Sequence, residues 1–314
     1  MSSQIHGFVA DGFEKIKTTF QEIISQAPEA GSAVSMWHKG ENVVNLWGGL
    51  ANRESKAAWE EDTKVVVFSS TKGLMSLALA RLFEAGKFSY DDLVSKYWPE
   101  YQGAGKERTT IAQLVSHQAG VPFFAAEIQP EQVTNWDYMV SKIEQEAPMW
   151  QPGSSYAYHA ITHGWLTGEL IRRVSGMSPG EYLAKEISAP LYADTWLGLP
   201  AELEREVAPS FVHPDLTAFF VDLAKQNTDE GNFLIRSLTL GQAFSMNLVG
   251  KNEGFNSQKV HAAEIPGAGG ISTAHGISKI WSSVVHETDG VRLLTDETVD
   301  YVKKYSQRES RSQI

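Results

Sequence analysis

The β-forming signal in this chain of 314 residues lies almost wholly before residue 69, and that one-sidedness limits the folds open to it. Two β-rich runs, Gly31-Ser-Ala-Val-Ser-Met-Trp37 and Asn42-Val-Val-Asn-Leu-Trp-Gly-Gly49, flank His38-Lys-Gly-Glu41 and read as a hairpin with Gly40 in its turn. A third run, Lys64-Val-Val-Val-Phe68, leads straight into Ser69. Ahead of them, Phe8, Val9, Phe13, Ile16, Phe20, Ile23 and Ile24 recur at helical spacing, predicting an amphipathic helix that ends near Pro28. From Ser69 to about residue 200 the pattern is mainly helical, punctuated by Gly and Pro. Residues 226–258 read as loop around one apolar stretch, Ala274 to Val285 as a helix, and Lys303 to Ile314 as a polar, frayed tail. Two or three strands cannot carry so large a helical block unless others join them, and no convincing strand cluster follows residue 240.

Composition removes several chemistries. With no Cys there is no thiolate nucleophile, disulfide or Cys-ligated metal, so a covalent nucleophile must be Ser, Thr, Lys or a carboxylate. The 27 basic and 38 acidic residues give a net charge of −11, and no basic stripe is present to hold nucleic acid or anionic lipid. The N-terminus has no basic-then-apolar leader and no run is long enough to span a bilayer, so a cytoplasmic location is expected, with no membrane partner. Nothing in the sequence fixes an oligomeric state.

One short motif carries candidate chemistry. In Phe68-Ser-Ser-Thr-Lys-Gly73, Ser69 and Lys72 stand three apart at the mouth of an apolar helix, so both side chains point to one face of its first turn. A serine hydroxyl needs a base, and a desolvated lysine amine can become one. Backbone N–H groups at the helix start can also stabilise an oxyanion. Taken alone, Ser-x-x-Lys reads equally as an N-capping serine beside a solvated lysine.

Its setting between a strand and a helix, together with four further blocks in order, resembles the serine β-lactamase-related superfamily, most closely the class C β-lactamase-like branch that includes family VIII carboxylesterases. These blocks are Thr110 to Pro122 with its His-x-x-Gly-x-Pro ending, Trp150 to Ala160, the pair Gly168 to Gly176 and Ala189 to Pro200, and the Gly-rich Pro266 to Ala274. The resemblance implies an α+β, β-lactamase/transpeptidase-like fold: an antiparallel sheet flanked by helices plus a mostly helical subdomain. It implies one domain over 1–314, with N-terminal helix and strands in 1–68, catalytic motifs in 69–200 and a loop-rich part in 201–314. It further implies that Ser69 is the nucleophile, Lys72 its partner and Tyr158 the general base, acting on a small-molecule ester with no cofactor and no metal. A phenol titrates near about 10 in water, so Tyr158 would need a nearby cation to serve as a base at neutral pH.

The sequence departs from the family twice. Tyr158-His159-Ala160 stands where Tyr-x-Asn is usual, which favours esters over β-lactams and weakens a β-lactamase or peptidase reading. No Lys-Thr-Gly or His-x-Gly motif follows the Gly-rich block, so the chain is expected to lack C-terminal strands, and a catalytically silent binding or scaffold protein is the competing expectation. Loss of one oxyanion donor costs roughly 10²–10³ in rate. Other motifs read as structure: Ser178 in Gly176-Met-Ser-Pro-Gly180 as a helix cap, His117, His159 and His163 as ordinary histidines, and Asp91-Asp92 and Glu60-Glu61-Asp62 as solvated turns. Gly267 to Gly270 lacks the lysine of a phosphate loop.

Overall fold

A computed structural model describes residues 4–27 and 29–311, with side chains to residue 304. The chain opens with β1 (Ile5–Val9), α1 (Glu14–Gln26), β2 (Gly31–His38), β3 (Glu41–Asn52), β4 (Ala57–Ala58) and β5 (Val65–Val66). A helical stretch follows: α2 (Ser70–Glu84), α3 (Ile111–Val115), α4 (Trp136–Gln145), α5 (Thr162–Ser175), α6 (Pro179–Tyr182) and α7 (Ala189–Leu191). The remainder holds β6 (Thr195–Trp196), α8 (Pro214–Gln226), α9 (Asp229–Thr239), β7 (Val249–Gly250), β8 (Glu253–Gly254), α10 (Gln258–Ala262), β9 (Ile271–Ser272), α11 (Ala274–Val285) and α12 (Asp296–Arg311). The expected α+β class is present.

The β2–β3 hairpin forms as the sequence reads, with Lys39 and Gly40 both left-handed (φ 53° and 84°) between the paired His38 and Glu41. The sheet is antiparallel in the order β1-β3-β2, with β4 also on β3. β1 corrects the expected helix: Phe8 and Val9 lie in a strand opposite Asn45 and Val44, and only the part from Glu14 onward is helical. Gly7 and Gly12, at φ 96° and 90°, allow the chain to bend there. Phe20 and Ile24 of α1 then pack on Val43, Val44 and Leu46 in a small core of their own.

Three strands of two residues each occur after residue 240, where the sequence shows no convincing strand cluster. β9 pairs antiparallel with both β5 and β6, bringing residues far apart in sequence to the foot of α2. Among the described residues, the β2 edge away from β3 carries no further strand. α11 follows the expected span and covers β2, where Trp37 Nε1 donates to Ser278 Oγ at 3.1 Å. The expected loop over 226–258 is corrected as well: Thr228 caps α9 by accepting from Gly231 N, and the chain is helical to Thr239. The tail read as frayed is helical to Arg311, and its last three residues lie outside the described ones.

The main core forms around α2 and α5, where Leu74, Met75, Ala78, Trp165, Leu166 and Leu170 are buried together. An ion cluster around the buried Lys64 ties the chain just before β5 to the segments carrying Asp194 and Glu206. Lys64 Nζ lies 2.6 Å from both Asp194 and Glu206, and although burial opposes its charge, the two carboxylates hold its pKa above the ordinary value. Core and corrected edge differ in what they contribute. Leu74→Ala should cost about 2–5 kcal/mol, while Phe8→Ala, on the exposed face of β1, should cost under about 1 kcal/mol in denaturant unfolding.

Candidate active site

The turn between β5 and α2 presents Ser69 to solvent. Phe68 adopts a left-handed backbone (φ 44°), an uncommon conformation for a bulky residue, and its surroundings fix it. Thr71 Oγ1 donates to Phe68 O at 2.5 Å, and the Phe68 ring meets Phe255 edge-on at 5.4 Å. The Gly-rich segment closes round the same turn, with Val67 N donating to Gly270 O (2.8 Å) and Gly270 N to Thr71 Oγ1 (2.9 Å). A side chain at Gly270 would collide with Thr71 at 2.6 Å, so the close approach requires glycine.

Ser69 occupies the N-cap position of α2 but makes no capping bond. Its hydroxyl instead accepts from Tyr158 Oη at 2.7 Å and from Lys72 Nζ at 3.1 Å. The Ser69 backbone N–H, at the N-cap of α2, has no hydrogen-bond partner among the described residues. The three residues singled out in the sequence therefore meet at one hydroxyl.

Lys72 is 7% exposed and reaches across the fold. Besides Ser69, its Nζ donates to Ala160 O and to Gly267 O, both at 2.6 Å, and it lies 4.9 Å from the centre of the Tyr158 ring. Burial pushes its pKa down to about 7, while the two carbonyls favour the ammonium in opposition. At neutral pH the amine can thus exchange a proton with its neighbours. The two carbonyls could not be foreseen from residue types, since any residue offers one. Gly267 reaches Lys72 because the loop packs directly on the start of α5, where a Cβ on Gly267 would fall 2.4 Å from Ile161 O and one on Gly164 would fall 2.0 Å from Gly267 N.

Tyr158 is half exposed and lies in an irregular stretch before α5, held partly by His117. His117 O accepts from Ala157 N (3.3 Å), its Nδ1 accepts from His159 N (3.1 Å), and its ring lies 5.1 Å from that of Tyr158. His159 is fully buried, accepting from Val121 N through Nε2. His163 Nε2 lies 3.1 Å from Val115 O. Burial pushes His117 down to about 3 and His159 to about 4, with His159 and Lys72 adding to the shift of His117, and it also holds His163 well below the ordinary imidazole value. These are neutral, structural imidazoles, as read from the sequence, yet their place beside Tyr158 was not legible there. Ser178 caps α6 in a reciprocal box with Glu181, as expected. Asp92 accepts from Ser89 N and Tyr97 in its turn. Among the described residues no cluster of His, Asp or Glu is arranged to hold a metal, and no helix is long and apolar enough to cross a membrane.

A sequence model of the beta-lactamase family matches residues 20–303, and the chain belongs to that family. It is 28% identical over 301 residues to the esterase/beta-lactamase LipL of Mycobacterium tuberculosis (strain ATCC 25618 / H37Rv), covering 94% of this chain and 68% of LipL. Its structure is similar to that of a family VIII carboxylesterase (TM-score 0.83, 28% identity, 95% of this chain and 76% of the other). It is also similar to a penicillin-binding protein homologue from Caulobacter crescentus (TM-score 0.77, 29% identity, 95% of this chain and 76% of the other). The fold is thus the β-lactamase/transpeptidase-like α+β fold.

The close packing of the Gly-rich loop generates a test. Gly267→Ala should displace the loop and deprive Lys72 of one carbonyl, lowering stability by more than about 1 kcal/mol and slowing covalent labelling of Ser69 at least about tenfold. Gly103→Ala, whose added carbon meets only Glu144 O at 3.7 Å, should leave labelling unchanged.

Proposed function

We propose that the chain is a serine hydrolase that cleaves small carboxylic esters through an acyl-enzyme on Ser69, with Lys72 and Tyr158 as its acid and base. One observation carries the reading: a solvent-exposed serine hydroxyl receives hydrogen bonds from both a buried lysine amine and a tyrosine hydroxyl. Membership of the beta-lactamase family and likeness to a carboxylesterase structure support the same class of chemistry. We take residues 1–314 as one catalytic unit built from the strands, helical block and Gly-rich loop described above.

In this mechanism the reactive state is the Lys72–Tyr158 pair with one proton removed, and the pair accepts the Ser69 proton as Oγ bonds to the ester carbonyl carbon. The carbonyl oxygen becomes an oxyanion beside the free Ser69 N–H at the start of α2. As the tetrahedral adduct collapses, the C–O bond to the alcohol breaks and Tyr158 delivers the proton to the departing oxygen. Water then gives a proton to the same pair as its oxygen bonds to the acyl carbon, and as this second tetrahedral adduct collapses the bond to Ser69 Oγ breaks, the pair returns the proton to Oγ and the acid departs. Ala160 supports an ester over a lactam: its side chain offers no amide to a substrate, and its carbonyl is occupied by Lys72.

Ser69→Ala should abolish both turnover of p-nitrophenyl butyrate and the mass adduct from a fluorophosphonate, leaving the melting transition intact. Tyr158→Phe should lower kcat by about 10²–10⁴. Because Lys72 is neutral only above about 7, acylation should rise with pH through that value and level off beyond it, as read from kcat/KM. A cooperatively folded parent that takes no adduct would support the second reading, a silent family member.

A further inference from the structure

We propose that Ser237, on α9, is the positioning residue that aims Tyr158 at Ser69; the proposal rests on the serine-hydrolase reading only for its kinetic consequence. The segment from Gln151 to Ile161 has no regular partner strand, so its backbone groups need other acceptors and donors. In an extended segment successive residues turn their backbone groups to opposite sides. His117 serves one side here, bonding Ala157 N and His159 N. Ser237 serves the other. Its hydroxyl donates to Tyr158 O at 3.0 Å and accepts from Ala160 N at 3.1 Å, and the residue is 1% exposed. A hydroxyl can fill both roles at once, standing in for an absent strand.

The placement matters because the bridged residues are the two that serve the site. Tyr158 bonds Ser69, and the Ala160 carbonyl holds Lys72. Ser237 therefore sets the spacing between the general base and one anchor of the lysine. α9 is itself fastened independently of Ser237, since Arg236 Nη2 donates to Phe124 O (2.7 Å) and Ala125 O (3.0 Å), and Phe233 meets Phe123 edge-on at 5.1 Å. Removing one hydroxyl should leave the helix seated and free the tyrosine segment.

The experiment compares the parent, Ser237→Ala and Ser237→Thr by crystallography and by p-nitrophenyl butyrate kinetics, normalised to fluorophosphonate-titrated sites. In Ser237→Ala, Tyr158 Oη should leave hydrogen-bond distance of Ser69 Oγ, with kcat down between about tenfold and a hundredfold and KM within about twofold. Ser237→Thr, which keeps the hydroxyl, should restore the tyrosine position and most of kcat. Tyr158 unmoved in Ser237→Ala, or kcat per titrated site unchanged, would overturn the proposal. If the parent takes no probe but Tyr158 still moves in Ser237→Ala, the hydrolase reading fails while the positioning role stands.

Discussion

The site depends on one buried amine. Lys72 brings its Nζ into a space that water hardly reaches, and its three acceptors belong to three separate stretches: the Ser69 turn, the segment before α5 at Ala160, and the Gly-rich loop at Gly267. An amine in such a place is stabilised only if these carbonyls converge on it, and the carbonyls would themselves lack partners without it. Each of the three stretches is thus fixed by the same amine that the proposed chemistry uses.

This arrangement explains why so much of the fold is directed to a small volume. The β5–β9–β6 sheet is barely two residues deep, yet it carries the end of the Gly-rich segment to the foot of α2. Phe68 stays left-handed because Thr71 and Phe255 hold it, and the result is an exposed Ser69 within hydrogen-bond distance of a buried amine. Three neutral histidines fill the space behind Tyr158 without adding charge that would compete with Lys72. Burial here lowers the cost of moving a proton and raises the demand for exact backbone partners.

Local features were legible in the sequence and long-range ones were not. Helical spacing alone allows a Ser69–Lys72 pair but also an ordinary cap beside a solvated lysine, while the hairpin and the Ser178 cap follow from turn and capping chemistry. Tyr158 was found by family resemblance, because no spacing rule links residues 69 and 158 when an irregular segment carries one of them. The carbonyls of Ala160 and Gly267 were invisible, since a backbone acceptor has no residue type. β1 was missed because Phe8 and Val9 happen to continue the helical spacing of α1, and only Gly12 marked the break. α9 was read as loop because Gly231 and Asn232 interrupt its first turn, although Thr228 was available as its cap.

The proposed chemistry requires Lys72 to be a buried amine able to lose its proton near neutrality. The most direct measurement is a pH titration of ¹³Cε-labelled lysines by NMR, with Lys72→Met to assign the signal. One lysine resonance should titrate near about 7, well below the ordinary amine value of about 10.4, and vanish in Lys72→Met. If the resonance lost in Lys72→Met instead titrates near the ordinary amine value of about 10.4, the amine is an ordinary ammonium and the account of the site is wrong.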